Sequence, residues 1–153
     1  MTQFDTKREA PDMTYQRWIR VALGYLALIS LEIGVWAQFF PRSFFDNYPG
    51  LGRAWVGVDG PYNEHLVRDV GGLNLGLAAA LIIALVTLSS TTIIAACLAS
   101  LLYGVPHLLY HIAHADLLDG SDVVASVGGL ALFAALPVVV IVVSRRHPIA
   151  TST

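Results

Sequence analysis

The sequence predicts an all-α polytopic membrane protein, a four-helix transmembrane bundle. Three observations point there. Hydrophobic residues make up 56% of the 153-residue chain and charged residues only 13%, about half the charged share of a soluble domain. The mean hydropathy is +0.64 with the polar ends included. Four apolar stretches each reach the length of about 20 residues that a helix needs to cross a hydrocarbon core.

The spans are predicted at about 19–40, 66–88, 92–114 and 123–144. Residues 1–18 form a polar N-terminal tail and residues 145–153 a C-terminal one. The tail's Asp5, Lys7, Arg8, Glu9 and Asp12 and the length of the first apolar run do not fit a cleavable signal peptide. Cationic residues favour the cytoplasmic side. Lys7, Arg8, Arg17 and Arg20 precede the first span, and Arg145 and Arg146 follow the last. The turn between spans three and four carries Asp116, Asp119 and Asp122 and no cation. The expectation is a multi-pass plasma-membrane protein with both termini cytoplasmic.

Residues 41–65 are the only long connection. Pro49-Gly50 and Asp59-Gly60-Pro61 are turn signals. Phe44, Phe45, Tyr48, Trp55 and Tyr62 are too many aromatics for a solvated linker, so a structured outer loop is predicted. Gly72-x-x-x-Gly76 and Gly128, Gly129, Ala131 and Ala135 are small residues that let membrane helices approach. They serve a tight bundle or a self-association face. Pro106 and Pro137 fall inside spans and remove one backbone hydrogen bond each. The lone Cys97 can make no intrachain disulfide. Near-zero net charge and charges confined to span ends leave no footprint for nucleic acid.

The candidate chemistry lies in Pro106-His107-Leu-Leu-Tyr110-His111-Ile-Ala-His114, which holds three of the five histidines. At 100° per residue, these three histidines occupy an arc of roughly 60° on one helix face. Titratable groups inside a membrane helix are costly and point to function. His65 and Asp69 share a face at the start of span two. Glu32 lies about 12 Å below the outer end of span one, near the depth of His107. His65, Asp69, His107, His111 and His114 therefore form a candidate ligand set for a transition metal (Zn, Fe or Cu). Glu32 would stand behind these ligands as an acid or base, or in a proton relay. Haem held by His107 or His111 with His65 is a second cofactor reading, and a proton path is a third. Structural hydrogen bonding between helices explains the same residues without any ligand. No reaction is named by this pattern.

Five histidines are too few for the several-box pattern of membrane hydroxylases and desaturases. The four spans and the opening Arg68-Asp-Val-Gly-Gly-Leu-Asn-Leu-Gly76 of span two resemble small four-helix membrane proteins of the DoxX-like type. That resemblance implies respiratory or redox membrane partners. The composition, with Arg far above Lys and abundant Ala, Val and Leu, fits a bacterial source. The leading expectation is a small redox-linked or metal-binding membrane protein. The alternatives are a non-catalytic accessory subunit of a membrane complex and a proton-coupled transporter. The partners implied are the lipid bilayer and a homo-oligomer or larger complex.

Overall fold

The computed structural model describes residues 13–146. The tail residues Asp5, Lys7, Arg8, Glu9, Asp12 and His147 lie outside them. Helix α1 (Met13–Phe39) leads into a short α2 (Pro41–Asn47), a two-residue hairpin of β1 (Pro49–Gly50) and β2 (Arg53–Ala54), and a 3-10 turn (Gly57–Asp59). Then come α3 (Glu64–Thr87), α4 (Ser90–Ala113), a 3-10 turn (Ala115–Leu117) and α5 (Gly120–Arg146). Helices α1, α3, α4 and α5 are each long and apolar enough to cross a membrane. The transmembrane bundle predicted by the composition is the fold found.

Each helix boundary has a local cause. Asn63 caps α3, its side chain accepting from Leu66 N–H at 3.2 Å. Leu88 ends α3 in the left-handed region, at φ 49°, and the chain turns back within two residues. The Thr87 and Thr92 hydroxyls are 2.9 Å apart across that turn. Pro41 stands in the first turn of α2, where its missing N–H costs nothing. Pro106 and Pro137 lie inside unbroken α4 and α5.

The bundle has a terminal end, where α1 begins and α5 finishes, and a cap end, where residues 40–63 fold over it. The terminal half is solidly packed. Ile19, Leu23 and Leu26 of α1 meet Leu81 and Ala84 of α3, Ile93, Ala96 and Cys97 of α4, and Val140 of α5. Helix α1 packs most closely on α3. The cause is a pair of glycines. A Cβ at Gly71 would sit 2.4 Å from the Gln38 backbone nitrogen, and one at Gly34 would sit 2.9 Å from Leu75 N. Arg68 then donates to the Gln38 carbonyl from the next turn. Gly72 and Gly76, the expected packing pair, are exposed instead. Contact between α1 and α5 is the lightest of the four neighbouring helix pairs.

The cap is a compact aromatic layer. Trp36, Phe44, Tyr48 and Trp55 contact one another with ring centroids 4.8–6.3 Å apart, three of the four pairs edge-to-face, an arrangement that suits ring quadrupoles. Trp36 Nε1 donates to Ser43 Oγ at 3.1 Å. Two polar contacts tie the cap to the far helices. Arg53 pairs with Asp122 of α5 at 2.5 Å, and Tyr110 of α4 donates to Asp59 Oδ1 at 2.7 Å.

Candidate functional site

Beneath the cap the helices enclose a partly open cavity of about 410 Å³. Its walls are mostly apolar, with Ile29 and Ile33 from α1, Val67 and Val70 from α3, and Leu130 and Phe133 from α5. Phe44, Tyr48 and Trp55 form the roof. Burial, then the charge of Glu32, pushes the Tyr48 phenol up to about 12.

Polar groups occupy one wall. His107 and His111 face the cavity one turn apart on α4, with Nε2 atoms 3.0 Å from each other. The rings stack at 4.9 Å. Tyr103, one turn nearer the terminal end, places its ring edge-on to His107 at 5.3 Å. Asn74 of α3 reaches the same row. Its Nδ2 donates to Val70 O at 2.9 Å and approaches the Tyr103 hydroxyl at 3.4 Å. Asn74, Tyr103, His107 and His111 thus make a continuous polar stripe from the floor towards the cap, and Asp59 stands at its upper rim. Between α1 and α5 the cavity wall includes Tyr25, Ala125 and Gly129, all exposed on the outside of the bundle.

The structure does not assemble the full residue set expected from the sequence. Only His107 and His111 meet at the cavity. His65 and Asp69 do form an i,i+4 pair, at 3.3 Å, but their side chains are 87% and 61% exposed and face away from the cavity. His114 ends α4. Its Nδ1 lies 2.9 Å from the Tyr110 carbonyl and its ring stacks on Tyr110 outside the cavity. Glu32 lies on the outer face of α1, beside Leu28, Leu31 and Val35. Among the described residues, no group of three or more His, Cys, Asp or Glu side chains is gathered closely enough to hold a metal ion. The reason is rotational. Depth along a helix follows from residue count, but the face that turns inward follows from packing. On α1 that face is Ile19, Leu23, Leu26, Ser30 and Ala37, and Glu32 is roughly 200° round from Ser30.

Four site residues went unread in the sequence. Asn74 is 1% exposed and lines the cavity. Its signal was present: it is the interior polar residue of span two that lies off the His65/Asp69 face. Tyr103 precedes His107 by one turn, so i,i+4 spacing extends the histidine stripe. Trp55 and Asp59 come from the cap, whose fold no periodicity reveals.

The placement of Glu32 carries an expected outcome. A charged side chain near the centre of a spanning helix costs about 2.5–3.5 kcal/mol in insertion. Glu32 forms no hydrogen bond or salt bridge among the described residues. Glu32→Leu is therefore expected to favour membrane insertion of α1 by about 2 kcal/mol, read as the inserted fraction in a translocation assay, with cavity occupancy unchanged. A loss of occupancy in that variant would restore Glu32 to the site.

In comparisons with known proteins, no family, no curated protein and no solved structure matches this chain.

Proposed function

We propose that this protein holds one lipophilic small molecule in the cap-side half of its bundle, taken up sideways from the bilayer. The observation that carries the reading is the cavity itself. Its volume of about 410 Å³ lies within the range of small-molecule sites. Apolar walls around one polar stripe are the composition of such sites. The exposed wall of Tyr25, Ala125 and Gly129 supports entry between α1 and α5, where helix contact is lightest. The setting proposed is the plasma membrane, with both termini cytoplasmic. Arg17, Arg20, Arg145 and Arg146 at the terminal end and Asp116, Asp119 and Asp122 beyond α4 support that orientation. The DoxX-like resemblance supports a redox-linked membrane context.

Trp55 offers the test. It sits in the cap, outside the spanning helices, yet it lines the cavity. In a Trp18→Phe, Trp36→Phe background, phosphatidylcholine vesicles doped with 1-bromododecane, a brominated small lipophile, are expected to quench Trp55. Gly129→Phe and, separately, Val70→Leu combined with Leu130→Phe should relieve that quenching by filling the cavity. Unquenched Trp55 in the parent protein would end the proposal.

One observation favours a second reading, a transition metal at His107 and His111. Two imidazoles on one tetrahedral ion stand about 3.3 Å apart, close to the 3.0 Å seen here. The remaining positions would fall to the cavity's occupant. Elemental analysis after dialysis against Zn²⁺ should then find one ion per chain, lost in His107→Ala and His111→Ala. Protein that retains no zinc excludes this reading and leaves the first intact. Haem held by His65 and a histidine of α4 draws no support, because His65 faces away from the cavity.

A further inference from the structure

Glu32 faces outward from the middle of a membrane-spanning helix. Arg17, Trp18 and Arg20 stand at the terminal end of α1, and Phe39 and Phe40 at its cap end. At 1.5 Å per residue, Glu32 is about 18 Å from Arg20 and about 12 Å from Phe40, inside a hydrocarbon core of about 30 Å. Its side chain is exposed and makes no hydrogen bond or salt bridge among the described residues. In either protonation state a carboxyl group needs a polar partner, and acyl chains offer none.

The surface around Glu32 has the form of a helix seat. With Leu28, Leu31, Val35, Trp36 and Phe40 it lines a shallow groove on the outer face of α1. Leu28, Leu31, Glu32 and Val35 follow i, i+3, i+4, i+7 spacing, the stripe along which one helix packs on another. An apolar stripe alone would only meet lipid. A single polar residue within it is what fixes the register of a packed partner. Position then decides where the complement comes from. Lipid headgroups lie at the interfaces, out of reach of a group this deep. A second copy in the same orientation sets Glu32 against Glu32 and brings no cation to that depth. Among the described residues, Arg17, Arg20, Arg145 and Arg146 stand at the terminal end. Arg42, Arg53 and Arg68 are paired at the cap end with Asp46, Asp122 and Glu64. We propose that the outer face of α1 docks a transmembrane helix of a different protein, one that carries a lysine or arginine at the depth of Glu32. The ion pair sets the register, and Leu28, Leu31 and Val35 supply the packing. This interaction is independent of what the cavity holds.

The test uses the full chain in phosphatidylcholine vesicles with synthetic leucine-rich transmembrane peptides. Each peptide carries one central arginine, leucine or glutamate. A photoreactive benzophenone side chain is placed at position 28, in the groove, or at position 102, where Leu102 is 79% exposed on α4. From position 28 the arginine peptide is expected to cross-link about tenfold more than the leucine peptide, equivalent to about 1.4 kcal/mol. The glutamate peptide should not exceed the leucine peptide, and from position 102 all three should react alike. Glu32→Leu should lower the arginine peptide to the yield of the leucine peptide. Because Glu32 has no bonded partner within the bundle, that variant should keep the helical circular dichroism of the parent. Equal yields of the arginine and leucine peptides from position 28, or an arginine yield that survives Glu32→Leu, overturns the proposal. Cross-linking of position 28 to a second copy in preference to the arginine peptide also overturns it and assigns the face to a homodimer.

Discussion

Gly71→Ala is expected to cost about 3 kcal/mol or more of stability, the upper end of overpacking effects. The added methyl would stand 2.4 Å from Gln38 N and 2.7 Å from Gln38 Cα. Both are backbone atoms of α1, so no rotamer change relieves the overlap. Helices α1 and α3 would have to separate where Arg68 and Gln38 also join them. The control is Gly76→Ala, one and a half turns on, where a Cβ meets nothing within 4 Å. Its effect should be neutral or slightly favourable, since alanine is the better helix former. Urea or detergent titration followed by circular dichroism measures both. A Gly71→Ala protein as stable as the parent would mean that α1 and α3 do not pack as closely as described.

The second large effect is alkaline. The Tyr48 phenol is held up at about 12 from an ordinary 10, mainly by burial. The folded state thus binds this proton more tightly than the unfolded state does. Stability is unaffected below pH 10 and falls as pH rises from 10 to 12. The full loss is about 3 kcal/mol, from about 1.4 kcal/mol per unit. Tyr48→Phe should remove that part of the pH dependence. Because Tyr48 packs against Trp36, Phe44 and Trp55, the loss should register as opening of the cap. Tryptophan fluorescence, read beside tyrosinate absorbance between pH 9 and 12.5, follows both events. Identical alkaline profiles for Tyr48→Phe and the parent would remove the assignment.

The architecture was legible because lipid imposes it. Four apolar runs of spanning length admit few other folds, and the aromatic density of residues 41–65 excludes a loose linker. The inward faces were not legible for the same reason. In a membrane, the side of a helix that meets lipid is as apolar as the side that meets protein, so periodicity does not tell them apart. Glu32 illustrates the loss, having the right depth and the wrong face. Asn74 is the reverse case. It points away from His65 and Asp69, as helix geometry requires, and it is their face that turns outward. The glycine-rich opening of α3 was recognisable as a packing element, but Gly71, Gly72 and Gly76 differ only in what stands opposite them. The histidine stripe survived in part because His107 and His111 fall on the cavity side of α4. His114 is beyond the last full turn, where the helical register no longer directs it inward.

Native mass spectrometry of the intact protein released from nanodiscs tests occupancy of the cavity most directly. The expected spectrum shows one small lipophile per chain, lost on collisional activation and absent from a Gly129→Phe variant of unchanged fold. A parent protein that carries none after exposure to a lipid extract, or a variant that carries as much as the parent, would contradict it.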